Sequence, residues 1–290
     1  MDYPIGTVQF YISHTCNFSC PNCLSYNNFA IKGHDKFDDY ASQATEWSRI
    51  LKPTDMSIIG GEPLSNPYID SWVEGLTKLF DCKDFKICTN GLLIDKHDIN
   101  KWIAQGAIIE VNAHTDNHFT KACKDIESAL INYTKTTKPL KTSPKYYAED
   151  YSVFYTVDNE IVAVVSKPYD FRKWGVNKFE NNEWHLYNSN PKIAHFNCPS
   201  NDCHYIYRGE LYKCGTMVGA KEFVKKYKVH KPHADLVNDY KPISPADKNL
   251  QQQLKNLKKH IPQCQLCPIT KDHTRACDSD IKKNTLGLTN

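Results

Sequence analysis

Three thiols within eight residues, Cys16, Cys20 and Cys23, form a C-x3-C-x2-C group and are the densest chemistry in this 290-residue chain. They follow directly on the apolar run Val8-Gln9-Phe10-Tyr11-Ile12, so a strand delivers a short loop on which three soft ligands converge. A compact thiolate group suits zinc or an iron–sulfur cluster. Structural zinc takes a fourth ligand, yet no second C-x2-C pair follows within finger distance, which leaves His14 on the strand-exit side as the minority choice. On a four-iron cubane, three thiolates leave one iron open. An open metal position serves chemistry rather than scaffolding.

Composition narrows the setting. A chain of this size buries roughly three quarters of its unfolded surface, so twelve cysteines are not needed as staples. The start, Met1-Asp2-Tyr3-Pro4, lacks a positive segment followed by an apolar run, and no apolar stretch approaches the ~20 residues of a membrane span. The expectation is a cytoplasmic protein without membrane contact, in which clustered cysteines mean metal or redox chemistry. The formal charge of +3 does not argue for nucleic acid.

The elements that must position the loop read as βα units from residue 7 to about 133. Helix is predicted over 41–51, ending at Pro53; Met56-Ser57-Ile58-Ile59 is a strand running into Gly60-Gly61-Glu62-Pro63. A helix near 68–80 precedes Phe85-Lys86-Ile87-Cys88, a strand that ends in Thr89-Asn90-Gly91. After a helix near 96–105 comes Ala107-Ile108-Ile109-Glu110-Val111, ending in Asn112-Ala113-His114, and then a helix near 119–133. Such alternation implies a parallel sheet with function at the carboxyl ends of its strands, where each of these motifs sits. Two glycines permit close backbone approach to a ligand, and Glu62 offers an acceptor to a cation.

Taken in order, the cysteine loop, Gly60-Gly61-Glu62-Pro63 and Thr89-Asn90-Gly91 resemble the C-x3-C-x2-C, GGE and TNG motifs of the radical S-adenosylmethionine superfamily. The resemblance implies that Cys16, Cys20 and Cys23 hold a [4Fe–4S] cluster whose open iron is chelated by the amino and carboxylate groups of S-adenosylmethionine. It implies reductive cleavage to a 5′-deoxyadenosyl radical that takes a hydrogen atom from the substrate. Gly60, Gly61 and Glu62 would receive the methionyl amino group, with Thr89 and Asn90 beside them. Asn22 stands where the family often has an aromatic residue offering backbone to the adenine. Asn112 stands where many relatives have a serine facing the cofactor, and Arg172 is a candidate for its carboxylate. His114 is either a proton-transfer residue or a solvent-facing loop histidine.

Residues 134–150 read as an irregular connection, and Tyr151–Val157 with Ile161–Val165 as a hairpin around Asp158-Asn159-Glu160. Trp174 and Trp184 lie near the expected final strands. Further on, Cys198 and Cys203 precede a tight hairpin centred on Arg208-Gly209-Glu210, and Cys214 follows it. Leu250, Leu254, Leu257 and Ile261 mark one face of a helix that stops near Pro262 and delivers Cys264-Gln265-Leu266-Cys267, with Cys277 beyond. Two thiols at a hairpin and a C-x2-C make four, which suits a zinc ribbon as well as an iron–sulfur cluster. Behind the motifs above, the set resembles the auxiliary-cluster domains called SPASM and twitch, with too few cysteines for a two-cluster SPASM. By that resemblance Cys198, Cys214, Cys264 and Cys267 hold one auxiliary [4Fe–4S] cluster. Cys203 and Cys277 are alternative ligands, or free thiols either of which could donate a hydrogen atom. Cys82, Cys88 and Cys123 have no ligand spacing and read as packed thiols.

The expected fold is therefore α/β: a partial (β/α)6 TIM-like barrel over 1–190 and a small C-terminal α+β twitch-like cluster domain over 191–290. The expected activity is hydrogen abstraction from an unactivated C–H of a small metabolite such as a nucleotide or sugar, as a net oxidation with the auxiliary cluster accepting the electron. A reductant such as flavodoxin or ferredoxin would be the partner. With the first strand starting near residue 7, no leader-binding domain precedes it; a peptide-modifying maturase with a separate leader-binding partner is the alternative. A non-catalytic electron carrier or zinc-stabilised binding module is the alternative of another class. Ten lysines against four acidic residues over 221–260 read as a solvated helix face, or as a surface for an anionic substrate.

Overall fold

The computed structural model describes residues 2–20, 23–134, 139–145, 150–157, 160–167, 171–172, 176–269 and 273–274, with backbone alone for 132–134, 139–145, 150–151, 171–172 and 273–274. Asn22, Trp174 and Cys277 lie outside the described residues, as does the side chain of Arg172.

In chain order the elements are β1 (Tyr3–Ser13), α1 (Ala41–Ile50), β2 (Leu51–Gly60), α2 (Ile69–Leu79), β3 (Phe85–Thr89), α3 (Ile99–Ile103), β4 (Ile108–Asn112) and α4 (Asp116–Thr134). Then follow β5 (Pro139–Lys145), β6 (Asp150–Val157), β7 (Glu160–Lys167), β8 (Phe171–Arg172), β9 (Val176–Glu180), β10 (Glu183–Leu186) and α5 (Pro191–Phe196). The last are β11 (Cys203–Tyr207), β12 (Glu210–Tyr212), α6 (Gly215–Lys226), α7 (Lys231–Asn238), α8 (Leu250–Asn256) and β13 (His273–Thr274).

A mixed α/β architecture results, with one nine-stranded sheet in the order β12-β11-β1-β2-β3-β4-β7-β6-β5. Six adjacent strands, β11 through β7, run parallel, and only β12, β6 and β5 are antiparallel to their neighbours. The strand alternation explains the layering. Val8, Phe10 and Ile12 of β1 and Ile206 of β11 enter one apolar core with Trp47, Trp72 and Leu76 of α1 and α2. Tyr11, Tyr205 and Tyr207 point the opposite way, into a second core with Phe223 of α6 and Val237 of α7. Full burial of each large apolar side chain contributes roughly 1.5–3 kcal/mol.

Two sequence expectations are revised, and the C-terminal hairpin has a further partner. Part of the connection expected over 134–150 forms the edge strand β5, paired with β6. The helix expected to run to Pro262 stops at Asn256, although Leu250, Leu254 and Leu257 are buried together as its periodicity requires. The hairpin β11–β12, which lies beyond the boundary drawn at 190, extends the main sheet by pairing with β1, Phe10 opposite Ile206. Its turn places Arg208 at φ +50° and Gly209 at φ +76°, the twin positive angles of a type I′ turn. Trp47 of α1 donates its indole N–H to the Gly209 carbonyl at 2.9 Å, locking that turn onto the core.

Candidate active site

The cysteine loop leaves β1 at Ser13 and is stitched to the end of β2 by backbone. The Gly61 N–H donates to the Ser13 carbonyl at 2.7 Å and the Glu62 N–H to the Thr15 carbonyl at 2.9 Å. A Cβ on Gly60 would lie 2.5 Å from the Ser13 carbonyl oxygen; one on Gly61 would lie 2.1 Å from Asn27 Nδ2 and 2.5 Å from the Thr15 oxygen. Both glycines are thus required by close approach of the cysteine loop itself, a nearer cause than approach of a ligand.

Glu62 is fully buried and gathers the neighbouring strand end. Its Oε1 accepts the Thr89 hydroxyl at 2.6 Å and the Leu64 N–H at 2.9 Å, while Oε2 accepts the Asn90 N–H at 2.7 Å. Burial pushes its carboxyl up to about 7, with these three donors opposing the shift. Asn90 also reaches back, donating Nδ2–H to Asn17 Oδ1 at 2.7 Å. The ends of β2 and β3 and the cysteine loop are therefore one hydrogen-bonded unit.

The thiols Cys16, Cys20 and Cys23 share this loop. Burial raises Cys16 and Cys23, and the Glu62 carboxylate raises Cys16 further. Cys16 Sγ accepts the Phe18 N–H at 3.3 Å. At the end of β4, Asn112 is half-buried and His114 carries its Nδ1 to within 3.2 Å of Cys20 Sγ. The His114 N–H donates to His118 Nδ1 at 3.0 Å, and His118 Nε2 meets the Asn90 carbonyl. Phe18 packs against both rings, at 5.1 and 5.4 Å between centroids. His114, half-buried, is thus packed against a thiol of the loop. Asn17 and His118 escaped the sequence reading; the four-residue step from His114 to His118 was the available signal, since it puts both on one turn of chain.

His14 is not placed as a fourth ligand. Its Nδ1 lies 3.2 Å from the Tyr11 hydroxyl and its Nε2 2.9 Å from the Tyr207 hydroxyl, so both ring nitrogens are engaged. Burial holds its pKa down to about 4, and it sits as a neutral bridge between β1 and β11.

The second thiol set converges as well. Cys198 after α5, Cys214 after β12, and Cys264 and Cys267 on and after a 3-10 turn (Pro262–Leu266) line one cavity with Lys213 and Thr216. Cys203 does not line it; it begins β11 opposite Thr7. Burial pushes the Cys214 thiol up to about 12 and also raises Cys264 and Cys267. Lys213, buried, donates to the Leu257 carbonyl; burial lowers its pKa, and Cys264, Cys214 and Cys198 oppose that.

The chain is 26% identical over 171 residues to the GTP 3′,8-cyclase of Staphylococcus saprophyticus, covering 57% of this chain and 47% of the relative. It is 27% identical over 177 residues to the GTP 3′,8-cyclase of Staphylococcus epidermidis, with the same coverage. The chain belongs to the radical S-adenosylmethionine superfamily. It spans about half the length of these curated relatives, 47% of each. No protein-family model matches it. Among solved structures, Streptococcus suis SuiB bound to S-adenosylmethionine aligns over 93% of this chain and 72% of its own, at 14% identity and a TM-score of 0.37. The enzyme anSMEcpe with bound AdoMet aligns over 46% of this chain and 41% of its own, at 17% identity and a TM-score of 0.33. Likenesses at such scores carry no weight for fold or function.

Superfamily membership brings a [4Fe–4S] cluster and S-adenosylmethionine as cofactors. The donor set suits them: the leading charges on Cys16 among the described residues are those of Glu62 and Cys23, both negative, so a cation held by the loop would stabilise its thiolate. Glu62, the buried acceptor nearby, is held by three hydrogen-bond donors and by no cation among the described residues, a partner that a methionyl ammonium would provide.

Proposed function

We propose that this radical S-adenosylmethionine enzyme acts on a nucleotide, oxidising it by removal of hydrogen from an unactivated carbon. The observation that carries the reading is the buried Glu62 carboxylate, fixed by Thr89 and Asn90 beside a three-thiol loop at the carboxyl ends of parallel strands. Cys16, Cys20 and Cys23 hold the first cluster, and Gly60, Gly61, Glu62, Thr89, Asn90 and Asn112 form the bed for S-adenosylmethionine. When bound, the pair supplies reductive cleavage of the sulfonium and a 5′-deoxyadenosyl radical that abstracts hydrogen. This chain's residues contribute placement: Glu62 presents an anionic acceptor at a fixed position, and Phe18, His114 and His118 close the space beneath the loop. Cys198, Cys214, Cys264 and Cys267 form a four-thiolate set for an auxiliary cluster, whose chemistry is to take up the electron the substrate radical loses. Lys213 offsets the negative charge of that set. Residues 1–190, joined by the β11–β12 hairpin, supply the core, and the rest of 191–290 the auxiliary part, with flavodoxin or ferredoxin as electron donor. The nucleotide rests on the curated relatives, which by name act on GTP.

Anaerobic incubation with dithionite and S-adenosylmethionine tests the activity. 5′-Deoxyadenosine is expected, and its yield should rise when the true nucleotide class is added. Its absence from protein with full iron content would favour an electron carrier. Stimulation by a peptide but by no nucleotide would move the substrate to the maturase class.

A further inference from the structure

A third cluster of ligating side chains lies away from both thiol sets. Glu183 and His185 are two residues apart on β10, so their side chains leave the same face of the strand. His230 caps α7 and His233 lies in its first turn, three residues on, so they share a helix face. Backbone fixes the two elements together: the Trp184 N–H donates to the Lys228 carbonyl at 2.9 Å, and the His230 N–H donates to the Trp184 carbonyl at 2.9 Å. As a result, one ring nitrogen from each of His185, His230 and His233 lies within 4.8 Å of the others. The rings of His185 and His230 stack with centroids 4.5 Å apart.

Two of the three rings carry a nitrogen that no described residue answers. His185 Nε2 and His230 Nδ1 are buried atoms with no hydrogen-bond partner among the described residues. A buried polar group left unpaired is destabilising, so a ligand that engages both is favoured. Glu183 Oε1 stands 3.8 Å from His185 Nε2, too far for a hydrogen bond and suited to a cation held between them. Lys178, opposite His185 in the β9–β10 pair, is engaged with Glu180 at 2.6 Å and does not compete. His233 Nδ1 accepts the Leu186 N–H at 3.2 Å, a long contact that ligation by this ring would replace.

We propose that His185, His230 and His233, with Glu183 as fourth ligand, bind one divalent transition metal, zinc first by ligand type. Three imidazoles and a carboxylate make a closed set, so the site is structural. Tetrahedral zinc with ~2.0–2.1 Å bonds needs donors about 3.3 Å apart, so the ligand atoms draw in by roughly an ångström. The metal staples the β9–β10 hairpin to α7. That matters because Val176, Lys178 and Trp184 of the hairpin line a pocket with Cys23 and Tyr26, while α7 holds the turn carrying Cys264 through Gln263 Nε2 donating to the Leu236 carbonyl at 3.0 Å.

The test uses protein whose iron–sulfur sites are reconstituted, so that thiols do not scavenge the added metal. After chelator treatment and desalting, one equivalent of Zn2+ is added and zinc is read by mass spectrometry and K-edge X-ray absorption. About one zinc per chain is expected, with nitrogen and oxygen scatterers near ~2.0 Å and none of the sulfur that sits near ~2.3 Å. The His185→Ala/His230→Ala variant should lose that zinc, while Cys203→Ala keeps it. Failure of the wild-type protein to retain zinc through desalting, or a sulfur-containing shell, overturns the proposal. Should the double variant fail to fold, the wild-type absorption spectrum decides the matter by itself, and His230→Gln with an unchanged circular dichroism spectrum gives the second loss-of-zinc arm.

Discussion

The Nδ1 of His114 lies 3.2 Å from the Sγ of Cys20, joining the end of β4 to the cysteine loop. Burial holds the His114 pKa down to about 3, so the ring is neutral throughout the working range of pH. A neutral imidazole can donate one N–H to a thiolate, and hydrogen bonds to cluster sulfurs set reduction potentials. His114→Leu is expected to lower the potential of the first cluster by tens of millivolts, read by anaerobic redox titration followed by electron paramagnetic resonance. An unchanged potential would leave the contact as packing alone.

Glu62 gives the protein a pH signature. Its carboxyl is raised by burial from 4.5 to about 7, so the folded chain keeps a proton that the unfolded chain releases first. Its contribution is fully present below about 4.5 and fades as pH rises to about 7, a loss on the order of 3 kcal/mol in the cofactor-free protein. Urea unfolding at ~pH 5 and ~pH 8 should show this difference, and Glu62→Gln should flatten it. Affinity for S-adenosylmethionine should move the opposite way, strengthening as pH rises through 7, because only the carboxylate pairs with an ammonium. Isothermal titration in two buffers of different ionisation heat should show proton release on binding.

Gly61→Ala tests the seam between β2 and the cysteine loop. The added methyl meets Asn27 Nδ2 and the Thr15 carbonyl far inside contact distance, and the latter is backbone. A loss of about 1–3 kcal/mol is expected from such overpacking. Iron loading at the first site should fall along with thermal stability. Full iron content with wild-type melting would mean that the loop yields more easily than its hydrogen bonds suggest.

Cysteines of the second set should separate by position. Cys214 lines the cavity shared with Cys198, Cys264 and Cys267, whereas Cys203 stands off it on β11. Reconstituted Cys214→Ala should lose about four irons per chain, one cubane's worth, while Cys203→Ala keeps its full complement. Iron loss from Cys203→Ala alone would make Cys203 the ligand instead.

Sequence pattern exposed the elements whose cause is local. Gly60-Gly61-Glu62-Pro63 and Thr89-Asn90-Gly91 stood out because each ends an apolar run, and the structure places both at carboxyl ends of parallel strands. The twin glycines were legible as close approach, but not what approaches, because the Thr15 carbonyl comes from a different segment. Partners distant in sequence escaped in the same way. Nothing near Cys20 announces His114, and nothing in Tyr205-Ile206-Tyr207 says that it pairs with β1 rather than closing a separate domain. The histidines at 185, 230 and 233 come from a strand and a helix whose meeting is set by backbone hydrogen bonds, which side-chain periodicity does not encode.

Placing β1 between β2 and β11 also orders events during synthesis. The strand that carries the first thiols acquires one neighbour early, but its other edge waits for a segment nearly two hundred residues later. Until β11 emerges from the ribosome, the edge of β1 and the tyrosines packed beside it face water, in an incomplete intermediate prone to wrong pairing. Delivery of iron and sulfide to the cysteine loop before that moment would meet a half-built sheet. Assembly of the first metal centre is thereby coupled to completion of the chain, and shortening the chain before Cys203 should cost the nascent enzyme its N-terminal chemistry as well as its C-terminal thiols.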